Sequence, residues 1–476
     1  QELAAKNCWM QDAGIRDFSE DSLHQLQHYL EDLKSSSLPF GLHAFGISPG
    51  TPEIRRMTDL AGVSGKEREK MELLLQSAGR DEMDMLLRGL SGRFIPPGLS
   101  GDPVRTPAVL PAGRNFYGLD PDKFPTRDAY AKAGPAVENL IRQHQKNHNG
   151  AYPAQTAIVL WAGESVRTGG LNESILLRLI GMEPVWDTAG RVRTFRPVPG
   201  SRLGRPRLDA VVTASGAYRD QFAGLLAKLD RAQREAARLT DVENFLARHS
   251  AGIREDLIRK GVAPAAAEQA ASCRIYTPEP GAYGVGVKRL AGASGMWEKN
   301  SEIAGSYFNR MRYGMNADGE LRDAGDSLSL QLKQTAIVLH SRSSALYGVT
   351  DIDDMFQYMG GLALAVRTSQ GRAPEQFIVD NRKSARVQVT PVRQFIASEL
   401  RSRTLNPAWI SAQQKENYAG ARMIARMTDN LWGWQAVTPE NVTSGQWQEL
   451  YEVYQQDRYQ LGMKEFFRQE NAWAAQ

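Results

Sequence analysis

The chain has 476 residues, too many for one hydrophobic core, so its length predicts two to four domains. An apolar fraction of 42% with a charged fraction of 24% belongs to ordinary globular proteins and excludes a disordered chain. The net charge of +4 comes from basic residues scattered among acids, which excludes a nucleic-acid stripe, and no run of about 18 apolar residues is present to span a membrane.

Residues 1–100 carry leucines at helical spacing, first Leu23, Leu26, Leu30 and Leu33, then Met83, Leu86, Leu87 and Leu90. A Pro/Gly-rich stretch at 96–107 leads into LPAGRNFYGLDPDKFPT (110–126). That loop combines turn formers with the rings of Phe116 and Tyr117 and the Arg114-Asn115 pair, so its backbone shape is expected to be specified. Thr156–Trp161 reads as a buried strand. Leu171–Gly181 follows as a helix with Asn172 as its N-cap and Gly181 as its stop. Pro184–Asp187 and Leu208–Ser215 read as two more strands, and a long helix runs over about 217–239. This order predicts a parallel α/β sheet with ligands at the strand ends, at Ala162–Gly170 and Ser215–Asp220. From Cys273 onward the pattern is helical, broken by loops at 278–286, 312–320 and 341–354, with a small hairpin over Phe377–Asp380 and Arg386–Thr390. No internal repeat or low-complexity tract organises the chain. The fold class expected is α/β and multidomain: a mostly helical 1–109, a Rossmann-like parallel α/β domain over 110–272, and a mostly helical 273–476.

Cys8 and Cys273 are the only cysteines and form no CxxC, which excludes a disulfide scaffold or cysteine zinc site and suits a reducing compartment. A cytoplasmic location is expected, or a periplasmic one if Gln1 follows a cleaved signal peptide; a start at Gln1 predicts a processed chain or a fragment. Gly62-Val-Ser-Gly65-Lys66-Glu67 is too short for a phosphate loop and lacks its magnesium-holding hydroxyl, so the chain is not expected to bind or hydrolyse ATP by such a loop. His24/His28 and His144/His148 each place two rings on one helix face, yet neither pair has an acid in the HExxH arrangement, and polar surface histidines are the expectation. His43 lies in the apolar, Gly-flanked LPFGLHAFG (38–46). It is either a core histidine bonded to a carbonyl or a neutral base or ligand in a dry cavity. Asp351, Asp353 and Asp354 begin a helix, where acids suit the macrodipole, and could also hold a hard cation. Glu164 and Glu173 flank the Gly169-Gly170 turn where the α/β rule places ligands.

Ten stretches in order, among them GLHAFG (41–46), GRFIPPGLSGDPVR (92–105), LPAGRNFYGLDP (110–121), YPAQTAIVLW (152–161), LGRPRLDAVVTASGAYRDQF (203–222), PGAYGVGV (280–287) and DIDDMFQYMGGL (351–362), resemble the CobN/magnesium chelatase H-subunit family. They cover nearly the whole chain and look closer to the cobalt type. The resemblance implies a C-terminal portion of a longer subunit that inserts Co²⁺ into a hydrogenobyrinate a,c-diamide-type corrin for cobalamin synthesis. It also implies that ATP and Mg²⁺ are used by separate AAA+ subunits of the CobS/CobT or magnesium chelatase I/D type. Magnesium insertion into protoporphyrin IX and a non-catalytic tetrapyrrole-binding homologue are the alternatives. The chain departs from the family pattern at Leu346-Tyr347-Gly348, Glu416-Asn417 and Leu171, where members tend to carry Glu-His-Asp, His-Gly and Glu, so either the metal route differs or those residues are dispensable.

Metal insertion requires a gripped ring, loss of two pyrrole protons, and removal of water from the ion. Arg114, Asn115, Phe116, Tyr117, Trp161, Tyr218, Arg219 and Tyr283 are the candidates for the ring. His43 with Glu164 or Glu173 is the expected base and metal guide, with Asp351, Asp353 and Asp354 the second choice for the metal.

Overall fold

The computed structural model describes residues 12, 14–15, 20–36, 44–117, 120–344, 348–382 and 387–474. His43 and the side chains of Asn115, Phe116 and Tyr117 lie outside what is described. The centre of the molecule is an eight-stranded sheet: β1 (Gln155–Leu160), β2 (Asp209–Ala214), β3 (Ile275–Thr277), β4 (Tyr313–Met315), β5 (Leu321–Asp323), β6 (Thr335–Arg342), β7 (Glu375–Asp380) and β8 (Gln388–Pro391), in spatial order β8-β7-β6-β1-β2-β3-β4-β5. The five inner strands, β7 to β3, pair in parallel; β8 and the β4–β5 pair close the two edges antiparallel.

Strands buried on both faces read as continuous apolar runs rather than alternating ones. In β1, Ala157 and Val159 join one core while Ile158 and Leu160 join the other. The same alternation recurs in β6, with Val338 on one face and Ile337 and Leu339 on the other. Helices α1 (Arg127–Asn147), α3 (Leu171–Ile180) and α5 (Ala223–Ala236) cover one face through Leu140, Leu176 and Leu229. The opposite face is covered by Gly361–Gln370 and the C-terminal helices, through Leu364, Ile424 and Trp434. From β1 the chain winds through α3 to β2 and on to β3, whereas β6 lies on the other side of β1 and winds outward to β7. The winding direction therefore reverses between β1 and β6, which defines a topological switch point.

Several elements differ from the sequence-based expectation. Met182–Trp186 is a strand, but it pairs antiparallel with Val192–Pro197 in a separate ribbon. Asp187 makes that turn by accepting from the backbone N–H groups of Ala189 and Arg191. Asn172 is not an N-cap: Gly170, at φ +86°, caps α3, and Asn172 is buried with its Nδ2 donating to the Val159 carbonyl. The single helix expected over 217–239 is broken at Phe222 into α4 (Gly216–Gln221), capped by Ser215, and α5. The helical reading from Cys273 onward missed β3, β4, β5 and β6, and the expected hairpin at 377–390 is real but is the β7–β8 edge of the main sheet. Strands of this sheet come from both sides of position 272. Among the described residues no helix is long and apolar enough to cross a membrane.

Candidate functional site at the strand ends

The carboxyl ends of β1 and β6 carry a buried cluster of charge. Trp161 follows β1 and opens helix α2 (Ala162–Thr168), which places Glu164 in its first turn. The Glu164 carboxylate is buried, accepting from Arg167 Nη2 at 2.6 Å and from Arg342 Nη1 at 3.4 Å. Burial alone would raise its pKa, yet the two guanidiniums outweigh that and hold it below the ordinary glutamate range. Glu164 is therefore a fixed anion, and its own proton affinity is low.

Beside it on β6, His340 is fully buried. Its Nδ1 lies 3.2 Å from the Val159 carbonyl, an acceptor, and 3.5 Å from Asn172 Nδ2; the shorter contact favours the tautomer in which Nδ1 carries the proton. Nε2 then holds a lone pair and, among the described residues, has no hydrogen-bond partner. Desolvation, with a smaller contribution from Arg342 and against the pull of Glu164, lowers the imidazole pKa to about 4 and keeps it neutral. The Trp161 ring meets His340 edge to face at 4.5 Å and Tyr358 at 5.7 Å, and its indole N–H is buried without a partner among the described residues. Arg105 reaches in from the preceding segment and donates to the carbonyls of Ser343, at 2.6 Å, and Asn381, which ties together the loops that follow β6 and β7.

A second set of charges adjoins this one. Helix α6 (Val392–Ser402) supplies Glu399, which accepts from the backbone N–H groups of Val349 and Thr350 and from the Thr350 hydroxyl at 2.8–3.0 Å. Burial pushes the Glu399 carboxyl up, against the pull of Arg403. Asp351 is buried against Arg403 and accepts from the Gly348 N–H at 2.6 Å.

The remaining sequence-derived candidates separate. Glu173 is fully buried in α3, where it accepts from the Tyr218 hydroxyl at 2.7 Å; burial raises its pKa against the opposing pull of the Ser165 and Tyr218 hydroxyls. Tyr218 is fully buried and stacked on Phe222 at 4.8 Å, so its ring is a core element rather than a wall. Arg219, also buried, donates to the carbonyls of Pro278 and Glu279 and thereby shapes the loop after β3. Tyr283 in that loop is 63% exposed, donates to Asp220 at 2.6 Å, and lies under the Arg219 guanidinium at 5.7 Å. Trp161, Arg219 and Tyr283 thus line successive strand ends. Arg114 is half-buried beside Gly98. Asp351, Asp353 and Asp354 do not converge: Asp351 faces Arg403, Asp353 faces Lys288 at 2.7 Å, and burial raises the Asp354 pKa. Consecutive residues at a helix start point different ways, which is why nearness in sequence did not become a cation cage.

His340, Arg342, Arg167 and Arg105 were not singled out from the sequence. One signal was available. The hexapeptide QTAIVL occurs at 155–160 and again at 334–339, and the two copies lie side by side in the sheet, with Val338 opposite Ala157 and Leu339 opposite Ile158. Equivalent strand ends follow the two copies, Trp161 after one and His340 after the other. A cavity of about 490 Å³ among the C-terminal helices, lined by Trp432, Gln435, Val442, Ser444 and Trp447, holds no ionisable group, so proton and metal chemistry is better served at the strand ends.

A doubly wound sheet with polar groups converging at its switch point is the architecture of an α/β ligand-binding protein whose site lies beyond the carboxyl ends of its strands. The family profile described as CobN/Magnesium Chelatase matches residues 52–476, and the chain belongs to that family. It is 33% identical over 379 residues to the aerobic cobaltochelatase subunit CobN of a Sinorhizobium species, covering 79% of this chain and 30% of that protein. It is 31% identical over 393 residues to the chloroplastic magnesium-chelatase subunit ChlH of Oryza sativa subsp. indica, covering 80% and 27%. The solved catalytic subunit of cobaltochelatase from Mycobacterium tuberculosis superimposes with a TM-score of 0.84 at 26% identity, over 99% of this chain and 45% of that one. The chain thus spans about a third of the length of these curated relatives.

Proposed function

We propose that this chain is the catalytic portion of the large subunit of an ATP-dependent chelatase that inserts Co²⁺ into a corrin of the hydrogenobyrinate a,c-diamide type. The observation that carries the reading is the neutral imidazole of His340, with its free Nε2 lone pair, set between Trp161 and the Glu164–Arg342 pair at the switch point. A neutral imidazole competes well for cobalt against water and poorly for magnesium, which favours the cobalt reaction over magnesium insertion. A pKa near 4 means that protons do not compete with the metal for Nε2 at neutral pH. Trp161 and Tyr283 offer ring surfaces for a macrocycle, and Arg167 offers a guanidinium for its peripheral carboxylates or amides, while Arg219 holds the loop that carries Tyr283. Glu173 and Glu399, both with raised proton affinity, are chemically better suited than Glu164 to take pyrrole protons. Because the cluster is closed, loading requires an opening step, a task suited to separate AAA+ subunits that spend ATP. Magnesium-type relatives match almost as well as cobalt-type ones, which keeps protoporphyrin IX and Mg²⁺ as the second reading.

The test is a titration of the protein with hydrogenobyrinate a,c-diamide and with protoporphyrin IX, followed by Co²⁺ or Mg²⁺ with ATP and the partner ATPases. Corrin binding followed by cobalt insertion is expected. His340→Ala is expected to abolish insertion while retaining ring binding, and His43→Ala, run in parallel, shows whether that histidine also serves. A macrocycle that binds while no metal enters under any condition overturns the enzyme reading and leaves a tetrapyrrole carrier.

A further inference from the structure

At the amino edge of the sheet, opposite the switch-point cluster, three ligand-type side chains meet. His144, in the last turn of α1, is buried, and its Nδ1 lies 2.5 Å from Oε2 of Glu375, the first residue of β7. His148, four residues on and capping the same helix, places its Nε2 4.0 Å from that same oxygen. The two imidazoles are T-shaped with centroids 4.0 Å apart, and the three ligand atoms all lie within 4.8 Å of one another. Asn147 Nδ2 donates to the other Glu375 oxygen at 2.9 Å, which orients the carboxylate so that Oε2 faces the imidazoles. The acid that the local sequence around the histidine pair lacks is supplied by a strand more than two hundred residues away.

We propose that His144, His148 and Glu375 form a binding site for a divalent transition ion of the zinc or cobalt kind, distinct from the cluster at the strand ends. Two nitrogens and one carboxylate oxygen, with a remaining position for water, suit a tetrahedral ion; magnesium prefers oxygen ligands throughout. With metal–ligand bonds of about 2.0–2.2 Å, tetrahedral ligand atoms stand about 3.3 Å apart. The His144–Glu375 contact therefore opens by less than about 1 Å, the His148–Glu375 gap closes by less than about 1 Å, and the two imidazole nitrogens, which lie within 4.8 Å, close by up to about 1.5 Å, all within side-chain torsional freedom. A plain ion pair between His144 and Glu375 accounts for one short contact. It does not account for a second imidazole turned to the same oxygen or for the carboxylate being oriented by Asn147. The ion ties the end of α1 to the first residue of β7, so it also stabilises the native state.

Metal-free protein is titrated with Co²⁺ while the visible d–d absorption is followed, then with Zn²⁺ by calorimetry, with Mg²⁺ as the control. One saturable Co²⁺ site is expected, displaced by Zn²⁺, insensitive to Mg²⁺, and accompanied by a Zn²⁺-dependent rise in Tm. Glu375→Gln and His148→Ala, the latter at an exposed position, are each expected to weaken binding at least about tenfold. His340→Ala is expected to leave this cobalt signal intact, which separates the site from any substrate metal at the strand ends. Absence of saturable binding, or a signal that survives either substitution at wild-type affinity, overturns the proposal.

Discussion

His340 is a histidine whose surroundings deny it a proton. Its folded pKa of about 4 lies below the ordinary 6.5, so between those values the unfolded chain binds a proton that the folded chain does not. The stability associated with the neutral ring is complete above about pH 6.5 and falls as the pH drops toward 4. At pH 5 the loss from this one group is about 2 kcal/mol. Denaturant midpoints measured at pH 7 and pH 5 are expected to drop less in His340→Gln than in the unsubstituted protein; an equal drop in both removes His340 as the source. The charged residues around the ring, Arg342 and Arg167 against its proton and Glu164 for it, are also those whose roles were hardest to read from sequence. Glu164 was legible as a residue at a strand-end turn, but the guanidiniums that fix its charge come from three residues along its own helix and from a strand 178 residues away.

At the level of elements, the α2–α3 corner sets the site geometry. Gly169 and Gly170 both take left-handed φ values, +68° and +86°, and a Cβ at Gly170 would stand 2.9 Å from the Cα of Pro125. Gly170→Ala therefore meets two penalties, a left-handed residue at about 1–2 kcal/mol and a backbone clash. Gly62 has a similar φ of +69°, but open space around its Cβ position, so Gly62→Ala carries only the first. Denaturant unfolding is expected to show the larger loss for Gly170→Ala; equal losses refute the packing argument. Local signals served well where an element is defined by its own residues: β1, β2, and the stop of α3 at Gly181. They failed where a neighbour decides. Asn172 is a good N-cap by type, yet burial against β1 turned its amide to the Val159 carbonyl instead. Met182–Trp186 is a strand by composition, and the adjacent Asp187 turn folded it back onto its own partner rather than into the sheet.

For the whole molecule, the decisive pairing is β6 on β1. It joins residues 155–160 to 335–342 and puts the site between two stretches of chain. A truncated chain ending at Ser272 would lose β6, β7 and the core that covers one sheet face, and would leave β1 as a bare apolar edge. Residues 110–272 alone are therefore expected to aggregate or stay unfolded, checked by circular dichroism and light scattering; a monomeric, cooperatively unfolding fragment would show instead that this stretch is an independent domain.

Composition, the ordered motifs and the apolar runs were enough, by themselves, to determine the α/β class and the family. Those properties are written in nearest-neighbour terms, in propensity, periodicity and turn residues. The topology alone decided which strand ends meet, that His340 lies beside Trp161, that Glu164 is held ionised by Arg342, and that His144 and His148 find their acid in Glu375. Desolvation and charge pairing depend on distances in space between groups far apart in sequence, so only the folded sheet sets them.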